Sequence, residues 1–174
     1  MRFCPNCATP VEKKIPVGDN LPRFVCDACP AIHYDNPKIV AGCIPEWNGK
    51  LLLCRRAIEP RSGYWTFPAG FMELGESTEQ AACRETYEEA LARVTECRLY
   101  SVISMPRIGQ VYVVFRANLV SPDFGPGSES TEVALFDRAD IPWNDLAFTV
   151  IAAILRRYDR DAPDGRFPLY VDDV

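Results

Sequence analysis

The sequence has 174 residues, of which 48% are apolar and 25% charged, a composition typical of one ordinary globular domain with a small appendage. This composition excludes a disordered or fibrous chain. With 19 Lys and Arg against 24 Asp and Glu, the formal net charge is -5, which argues against a protein that wraps nucleic acid electrostatically. The longest nearly apolar stretch, residues 147–155, is too short to cross a bilayer, so we expect a soluble, cytoplasmic protein with no membrane partner.

Four of the eight cysteines lie within the first thirty residues, in two C-x2-C pairs. Two tight turns at this spacing can bring four thiolates to the corners of a tetrahedron, which predicts a structural zinc site over residues 1–36. The segment resembles a zinc ribbon, and His33 is expected to lie outside a zinc shell that four thiolates already complete. Two redox disulfides are the alternative interpretation. The predicted zinc ligands are Cys4, Cys7, Cys26 and Cys29.

Apolar patterning and turn residues predict a main domain over residues 37–160, followed by a poorly specified tail at 161–174. A hairpin turn is expected at Asn48-Gly49, and a capping box of Ser77 and Gln80 should begin the first helix. Strands, then a helix, more strands and a last helix indicate an α/β fold with helices packed on a mixed sheet. In chain order, the predicted elements are strands at 39–45 and 51–56, an extended run at 64–70, a helix from 77 to about 93, strands at 99–103 and 111–119, a loop at 122–130, a strand at 132–136 and a helix at 144–159.

The most informative stretch is GFMELGESTEQAACRETYEEALA, residues 70–92, which contains the pattern G-x5-E-x7-R-E-x2-E-E. Its last three glutamates fall at helical positions i, i+3 and i+4, on one face of the helix. Like charges this close destabilise a helix unless a cation binds there, and hard divalent cations prefer such oxygen ligands. A solvated acidic face is the alternative. The pattern is filled by Gly70, Glu76, Arg84, Glu85, Glu88 and Glu89, with Arg84 able to pair with Glu88 or with Glu76.

This pattern resembles the box of the Nudix hydrolases, G-x5-E-x7-R-E-U-x-E-E-x-G-U with U apolar, and a preceding G-x-W-x-x-P (Gly63, Trp65, Pro68) also fits that family. The resemblance implies a three-layer α/β/α sandwich with a mixed sheet and cleavage of a nucleoside diphosphate linked to another group. It also implies Mg²⁺, or Mn²⁺, held by Glu85, Glu88, Glu89 and the carbonyl of Ala69. The sequence departs from the box at Thr86, Leu91 and Ala92, which concerns packing and the helix end more than the chemistry.

Further site residues are predicted outside the box. Many Nudix members add a loop carboxylate as ligand or base, and Glu129 or Glu132 could supply it, unless both are exposed glutamates. Arg55 and Arg56 could bind substrate phosphates, with ordinary surface charge as the alternative. The remaining predictions are that Trp65, Gln110 and Tyr112 contact a nucleobase, although aromatic residues in extended segments are more often core residues.

A zinc ribbon in front of the box resembles the NADH pyrophosphatase branch, but the S-Q-P-W-P-F-P motif of that branch is absent, since the region reads SVISMPRIGQVYVVF. Other segments resemble enzymes that act on ADP-ribose or FAD, and this resemblance implies release of AMP. A nucleotide-sensing or nucleic-acid-binding module without catalysis is the rival interpretation, although the acidic charge makes a nucleic-acid partner unfavourable. The resemblance also implies a homodimer.

Overall fold

The structure is a computed structural model that describes residues 1–174. It divides into two compact units, Met1–Pro37 and Lys38–Val174. The first unit contains one antiparallel sheet of three short strands, β1 (Glu12–Lys14), β2 (Arg23–Val25) and β3 (Ile32–His33). The sequence places the boundary at residue 36, next to the observed one. Neither helix of the protein has the length and apolarity needed to traverse a lipid bilayer.

The second unit is built on one mixed sheet of eight strands. The elements are β4 (Lys38–Trp47), β5 (Lys50–Arg56), β6 (Trp65–Thr66), β7 (Ala69–Phe71), α1 (Thr78–Ala90), β8 (Val94–Met105), β9 (Gln110–Leu119), β10 (Ser130–Phe136), α2 (Thr149–Asp161) and β11 (Tyr170–Asp173), with short 3-10 turns at Arg138–Asp140, Trp143–Asp145 and Ala162–Asp164. Along the sheet the strand order is β10, β5, β4, β9, β8 and β11, with β6 paired to β5 and β7 paired to β4. The pairs β4–β9 and β8–β11 are parallel, and the other pairs are antiparallel.

The sheet is covered by a helix on each face, which confirms the predicted α/β/α sandwich. Alternation along β5 divides its residues between the two faces. Leu51 and Leu53 pack in the cluster that contains the buried residues of α2, whereas Leu52 and Cys54 pack with Ala90 at the end of α1. Both faces of the central strands are therefore buried, as their nearly continuous apolar sequences require.

The helix α1 begins as predicted and ends earlier than predicted. The Ser77 hydroxyl accepts from the Gln80 N–H, and the Gln80 side chain accepts from the Ser77 N–H, which completes the capping box. The last helical residue is Ala90, because Leu91 adopts the left-handed conformation with φ 50°. Leu91 occupies the position at which the Nudix box has a glycine, so the chain turns there without the residue that turns most easily.

The last part of the chain differs from the prediction in two ways. The second helix begins at Thr149 and not at 144, because Trp143–Asp145 forms a 3-10 turn and Phe148 is extended. Residues 161–174 do not remain a separate tail: Asp161 belongs to α2, and β11 pairs with β8. The Tyr170 hydroxyl donates to the Asp161 carboxylate, which ties this segment to the core.

Candidate metal centres and active site

The first unit brings its four predicted zinc ligands together. The Sγ atoms of Cys4, Cys7, Cys26 and Cys29 all lie within 4.8 Å of one another. Cys4 and Cys29 are 3.5 Å apart and Cys7 and Cys26 are 3.4 Å apart. A zinc ion with Zn–S bonds of about 2.3 Å separates its thiolates by roughly 3.8 Å, so this cluster is consistent with structural zinc.

His33 lies beside this cluster. Its Nε2 is 3.2 Å from the Sγ of Cys4, so the ring can donate a hydrogen bond to that thiolate. The four sulfur atoms already complete a tetrahedral shell, and His33 therefore fits an outer role, as the sequence predicts.

In the second unit, Arg84 connects the loop before α1 to the acidic face of that helix. Its guanidinium donates to both oxygens of Glu76, at 3.0 and 2.8 Å. It also donates to Glu85 at 2.7 Å, to Glu88 at 2.9 Å and to the Phe71 carbonyl at 3.1 Å. The two pairings proposed from the sequence thus occur at once, and the loop is fixed against the helix.

A close backbone approach explains the glycine that opens the box. A Cβ atom added at Gly70 would lie 2.3 Å from the Oε2 of Glu85. Any larger residue at position 70 would therefore displace the Glu85 carboxylate. The glycine allows Ala69, Gly70 and Glu85 to line the wall of one cavity.

This cavity of the second unit has a volume of about 510 Å³. Three carboxylates line it: Glu85 and Glu89 from α1, and Glu129 from the loop before β10. Arg56, from the end of β5, supplies a positive charge. A cavity with a few convergent charged groups on an otherwise apolar wall is the usual form of a small-molecule site.

The buried carboxylates carry an electrostatic cost. Burial, and then the charge of Glu85, raises the pKa of Glu89 to about 8. Burial also raises the pKa of Glu85, against the opposing effect of Arg84. In contrast, hydrogen bonds from Arg84 lower the pKa of Glu76 to about 2. Burial makes the charged forms of Glu85 and Glu89 unfavourable unless a positive charge lies nearby. A hard divalent cation would supply that charge and prefers oxygen ligands. The Ala69 carbonyl lies in the same cavity wall.

Glu88, the third predicted ligand on the helix, has a different environment. Its side chain is 56% exposed and does not line the cavity. Its carboxylate accepts the hydrogen bond from Arg84 described above. The structure therefore brings Glu85, Glu89 and Ala69 together and leaves Glu88 on the outer side of the helix face.

The predicted substrate residues divide into two groups. Arg56, Gln110 and Tyr112 line the cavity, and the Arg56 guanidinium lies 5.4 Å from the ring centroid of Phe148. Arg55 does not reach it, because alternation along β5 directs its side chain to solvent, where it pairs with Glu132 at 3.4 Å.

Two further predicted residues lie away from the cavity. Glu129 and Glu132 are both exposed, but Glu129 lines the cavity whereas Glu132 pairs with Arg55 outside it. Trp65 is 8% exposed and packs edge-on against Phe136, with ring centroids 4.9 Å apart. It is a core residue, as its alternative interpretation held.

The apolar wall of this cavity was not predicted from the sequence. Its residues come from four separate places, namely the loop after β5, the strand β7, the end of β8 with the turn that follows it, and the residue that precedes α2. No local motif marks them, although the β8–β9 turn directly precedes the predicted residue Gln110. The wall includes Ile58, Pro60, Phe71, Met105, Ile108 and Phe148.

Comparison with known families agrees with this architecture. The NUDIX domain family model matches residues 36–158. A zinc-ribbon family described as Nudix N-terminal matches residues 2–35. The chain therefore belongs to the Nudix hydrolase family and carries the zinc ribbon in front of the Nudix domain.

Two relatives illustrate the range of proteins that this chain resembles. An ADP-ribose pyrophosphatase of Methanocaldococcus jannaschii is 31% identical over 119 residues, which cover 66% of this chain and 69% of that protein. The NAD-capped RNA hydrolase NudC of Chromobacterium violaceum is 29% identical over 157 residues, which cover 89% of this chain and 57% of that protein. The chain thus spans little more than half the length of the latter relative.

Among solved structures, a NUDIX hydrolase from Nitrosomonas europaea is 54% identical to this chain. The two superpose with a TM-score of 0.94 over 100% of both chains. The similarity in fold therefore extends over both compact units of this chain.

Proposed function

We propose that this protein is a divalent-metal-dependent diphosphatase that cleaves a nucleoside diphosphate derivative, ADP-ribose or FAD, and releases AMP. The observation that carries the proposal is the pair of buried carboxylates, Glu85 and Glu89, in a cavity that also contains Arg56. Burial of the two carboxyls side by side raises the pKa of each, and carboxyls perturbed in this way concentrate at functional sites.

Different residues of the cavity would bind the metal, bind the substrate phosphates and accept a proton. Glu85, Glu89 and the Ala69 carbonyl would hold Mg²⁺ or Mn²⁺, and Arg84 fixes Glu85 in place. When bound, the cation neutralises diphosphate charge, polarises a P–O bond and lowers the pKa of water. The Nε of Arg56 donates to the Pro60 carbonyl, which leaves the other guanidinium nitrogens to bind phosphate oxygens. Glu129 can accept a proton from the attacking water.

Three features favour ADP-ribose or FAD. The first is the relationship to an ADP-ribose pyrophosphatase. The second is the apolar cavity wall with Tyr112 and Phe148, which suits the flat face of a base or a flavin. The absence of the S-Q-P-W-P-F-P motif argues in the same direction.

The test is AMP release from ADP-ribose, FAD, NADH, NAD-capped RNA and diadenosine polyphosphates, with Mg²⁺ or Mn²⁺. For the preferred compound, Glu89→Gln should lower kcat by about 100-fold or more, since a metal ion contributes several kcal/mol of transition-state stabilisation. Glu132→Gln is the matched control, because it makes the same chemical change at an exposed glutamate outside the cavity. No AMP from ADP-ribose or FAD, or equal activity of both variants, would contradict the proposal.

A second candidate substrate is NADH or an NAD-capped RNA. It is favoured by the NudC relative, which matches across 89% of this chain. In the same panel, preferential cleavage of NADH or of the capped RNA would select this candidate and reject ADP-ribose and FAD.

Assembly is a separate part of the proposal. We expect a homodimer, as the family resemblance implies, and light scattering during size exclusion measures it directly. A non-catalytic nucleotide sensor or nucleic-acid-binding module would be indicated by salt-dependent oligonucleotide binding without any AMP release.

A further inference from the structure

The glycine-containing loop between β9 and β10 is docked on the last turn of α1. The Gly125 N–H donates to the Ala90 carbonyl at 2.9 Å, and the Gly127 N–H donates to the Glu89 carbonyl at 3.0 Å. Carbonyls in the last turn of a helix have no partner within the helix. The loop therefore completes the hydrogen bonding of the helix that carries the acidic residues.

The loop touches this helix so closely that one of its residues can only be glycine. A Cβ atom added at Gly127 would lie 1.7 Å from the carbonyl oxygen of Glu88 and 2.8 Å from its carbonyl carbon. Both atoms belong to helix backbone, which cannot rotate away as a side chain would. Gly125, two residues earlier, has open space where its Cβ would be.

From this contact the chain turns directly into the cavity. The Ser130 N–H donates to the Gly127 carbonyl at 3.2 Å, which closes a turn around Glu129. The Glu129 carbonyl accepts from the Ala57 N–H at 2.8 Å, so the turn is also tied to the segment after β5. With its backbone held on both sides, the Glu129 side chain lines the cavity with Glu85 and Glu89.

We propose that Gly127 is a positioning residue that seats the Glu129 carboxylate in the cavity by letting the loop pack directly on the backbone of α1. This inference rests on the proposed diphosphatase function, because it assigns Glu129 to the reaction at that site. A side chain at position 127 must push the loop off the helix by about 1 Å or more. Displacements of about 1 Å at an active site can lower rates by roughly 100-fold.

The test compares Gly127→Ala with Gly125→Ala, which make the same change in the same loop, at a crowded and at an open position. We expect Gly127→Ala to lower kcat by roughly 10- to 100-fold with a much smaller change in KM. Gly125→Ala should stay within about twofold of the unsubstituted protein, since ordinary surface changes have small effects. Equal kcat values for the two variants would overturn the proposal.

A double-mutant cycle with Glu129→Gln separates positioning from general damage. If Gly127 acts through Glu129, Gly127→Ala should add little to the loss already caused by Glu129→Gln. If the two losses multiply, Gly127 has a structural role independent of Glu129, and the proposal is wrong.

Amide hydrogen exchange gives a readout that needs no substrate and no activity. In the unsubstituted protein, the amides of Gly125 and Gly127 should be protected, because both are bonded to helix carbonyls. Gly127→Ala should speed exchange at 127–130, and Gly125→Ala should not. If the Gly125 and Gly127 amides of the unsubstituted protein exchange without protection, the loop is not docked on α1 and the proposal is wrong, whether or not the variant folds. If the docking is observed and no diphosphate is cleaved, it is the proposed function that fails.

Discussion

The protein contains two clusters of potential metal ligands, and they are built on opposite principles. The cysteine cluster lies in a unit with three very short strands, so a bound metal would supply much of the folding free energy of that unit. The carboxylate cluster lies in a unit with extensive buried cores on both faces of its sheet. There the fold buries Glu85 and Glu89 side by side, and burial raises the pKa of both carboxyls. In the first case a metal would organise the chain, and in the second the fold positions the carboxyl groups before any ligand binds.

Removal of one predicted zinc ligand should have the largest effect on the protein. We expect Cys26→Ser to lose zinc and unfold residues 1–37, because structural zinc sites contribute about 10–16 kcal/mol of apparent binding free energy that is also folding free energy. The second unit has its own cores and should keep its unfolding transition. Zinc analysis and amide exchange measure both effects. Cys97→Ser is the control, since Cys97 lies outside the ribbon and should leave the zinc content unchanged.

A smaller effect should distinguish the carboxylate cluster, in the dependence of stability on pH. Burial holds the pKa of Glu89 at about 8, above its ordinary value of 4.5. A raised carboxyl pKa gives stability that is fully present below pH 4.5 and is lost as the pH rises through about 8. We therefore expect the unfolding temperature of magnesium-free protein to fall across this window.

Two controls test whether Glu89 causes this dependence of the unfolding temperature on pH. Mg²⁺ should reduce the loss of stability at high pH by binding the charged carboxylates, and Glu89→Gln should flatten the slope. The protein should be dialysed against magnesium-free buffer, because a chelator would also strip zinc. An unfolding temperature that rises with pH in this window would show that Glu89 is not the buried group described above.

The smallest expected effect concerns the surroundings of the zinc ligands. Removing the hydrogen bond from His33 to Cys4 with His33→Ala should weaken zinc binding by about 10- to 100-fold without abolishing it, since outer partners orient ligands but do not bind the metal. Competition with a zinc indicator measures this affinity. Restoration by His33→Gln, which can still donate, would support a hydrogen bond. A loss as complete as that of Cys26→Ser would instead make His33 a ligand.

Local signals in the sequence predicted much of this fold. The Asn48-Gly49 turn and the Ser77 capping box are formed by neighbouring residues, so their patterns contain all the information needed. The end of α1 could not be read in this way. Leu91 is a residue that favours helix continuation. The helix nevertheless ends before it, because Ala92 is buried against the sheet and the loop that contains Gly125 and Gly127 donates hydrogen bonds to the last turn of α1.

In the candidate site, too, features formed by neighbouring residues were predictable and features formed by distant segments were not. The box glutamates were recognisable because helical periodicity groups them, whereas the cavity wall is assembled from segments far apart in the chain. Glu129 and Glu132 could not be separated from sequence, since only the folded loop, whose Glu129 carbonyl accepts from the Ala57 N–H, places Glu129 at the rim of the cavity. The role of Trp65, as a nucleobase contact or a core residue, was ambiguous for a similar reason. An aromatic residue in a short strand gives no sign of whether its ring faces the core or a ligand cavity.

The strand β11 has a practical consequence for anyone who shortens this protein. It covers the outer edge of β8, pairing residues 170–173 with residues 101–104. A truncation after Ala162 would leave the backbone donors and acceptors of residues 101–104 without this partner strand. It would also uncover the ring of Tyr100, whose centroid lies 5.5 Å from that of Tyr170. An unpaired edge of this kind readily recruits another strand, so such a fragment should be prone to self-association.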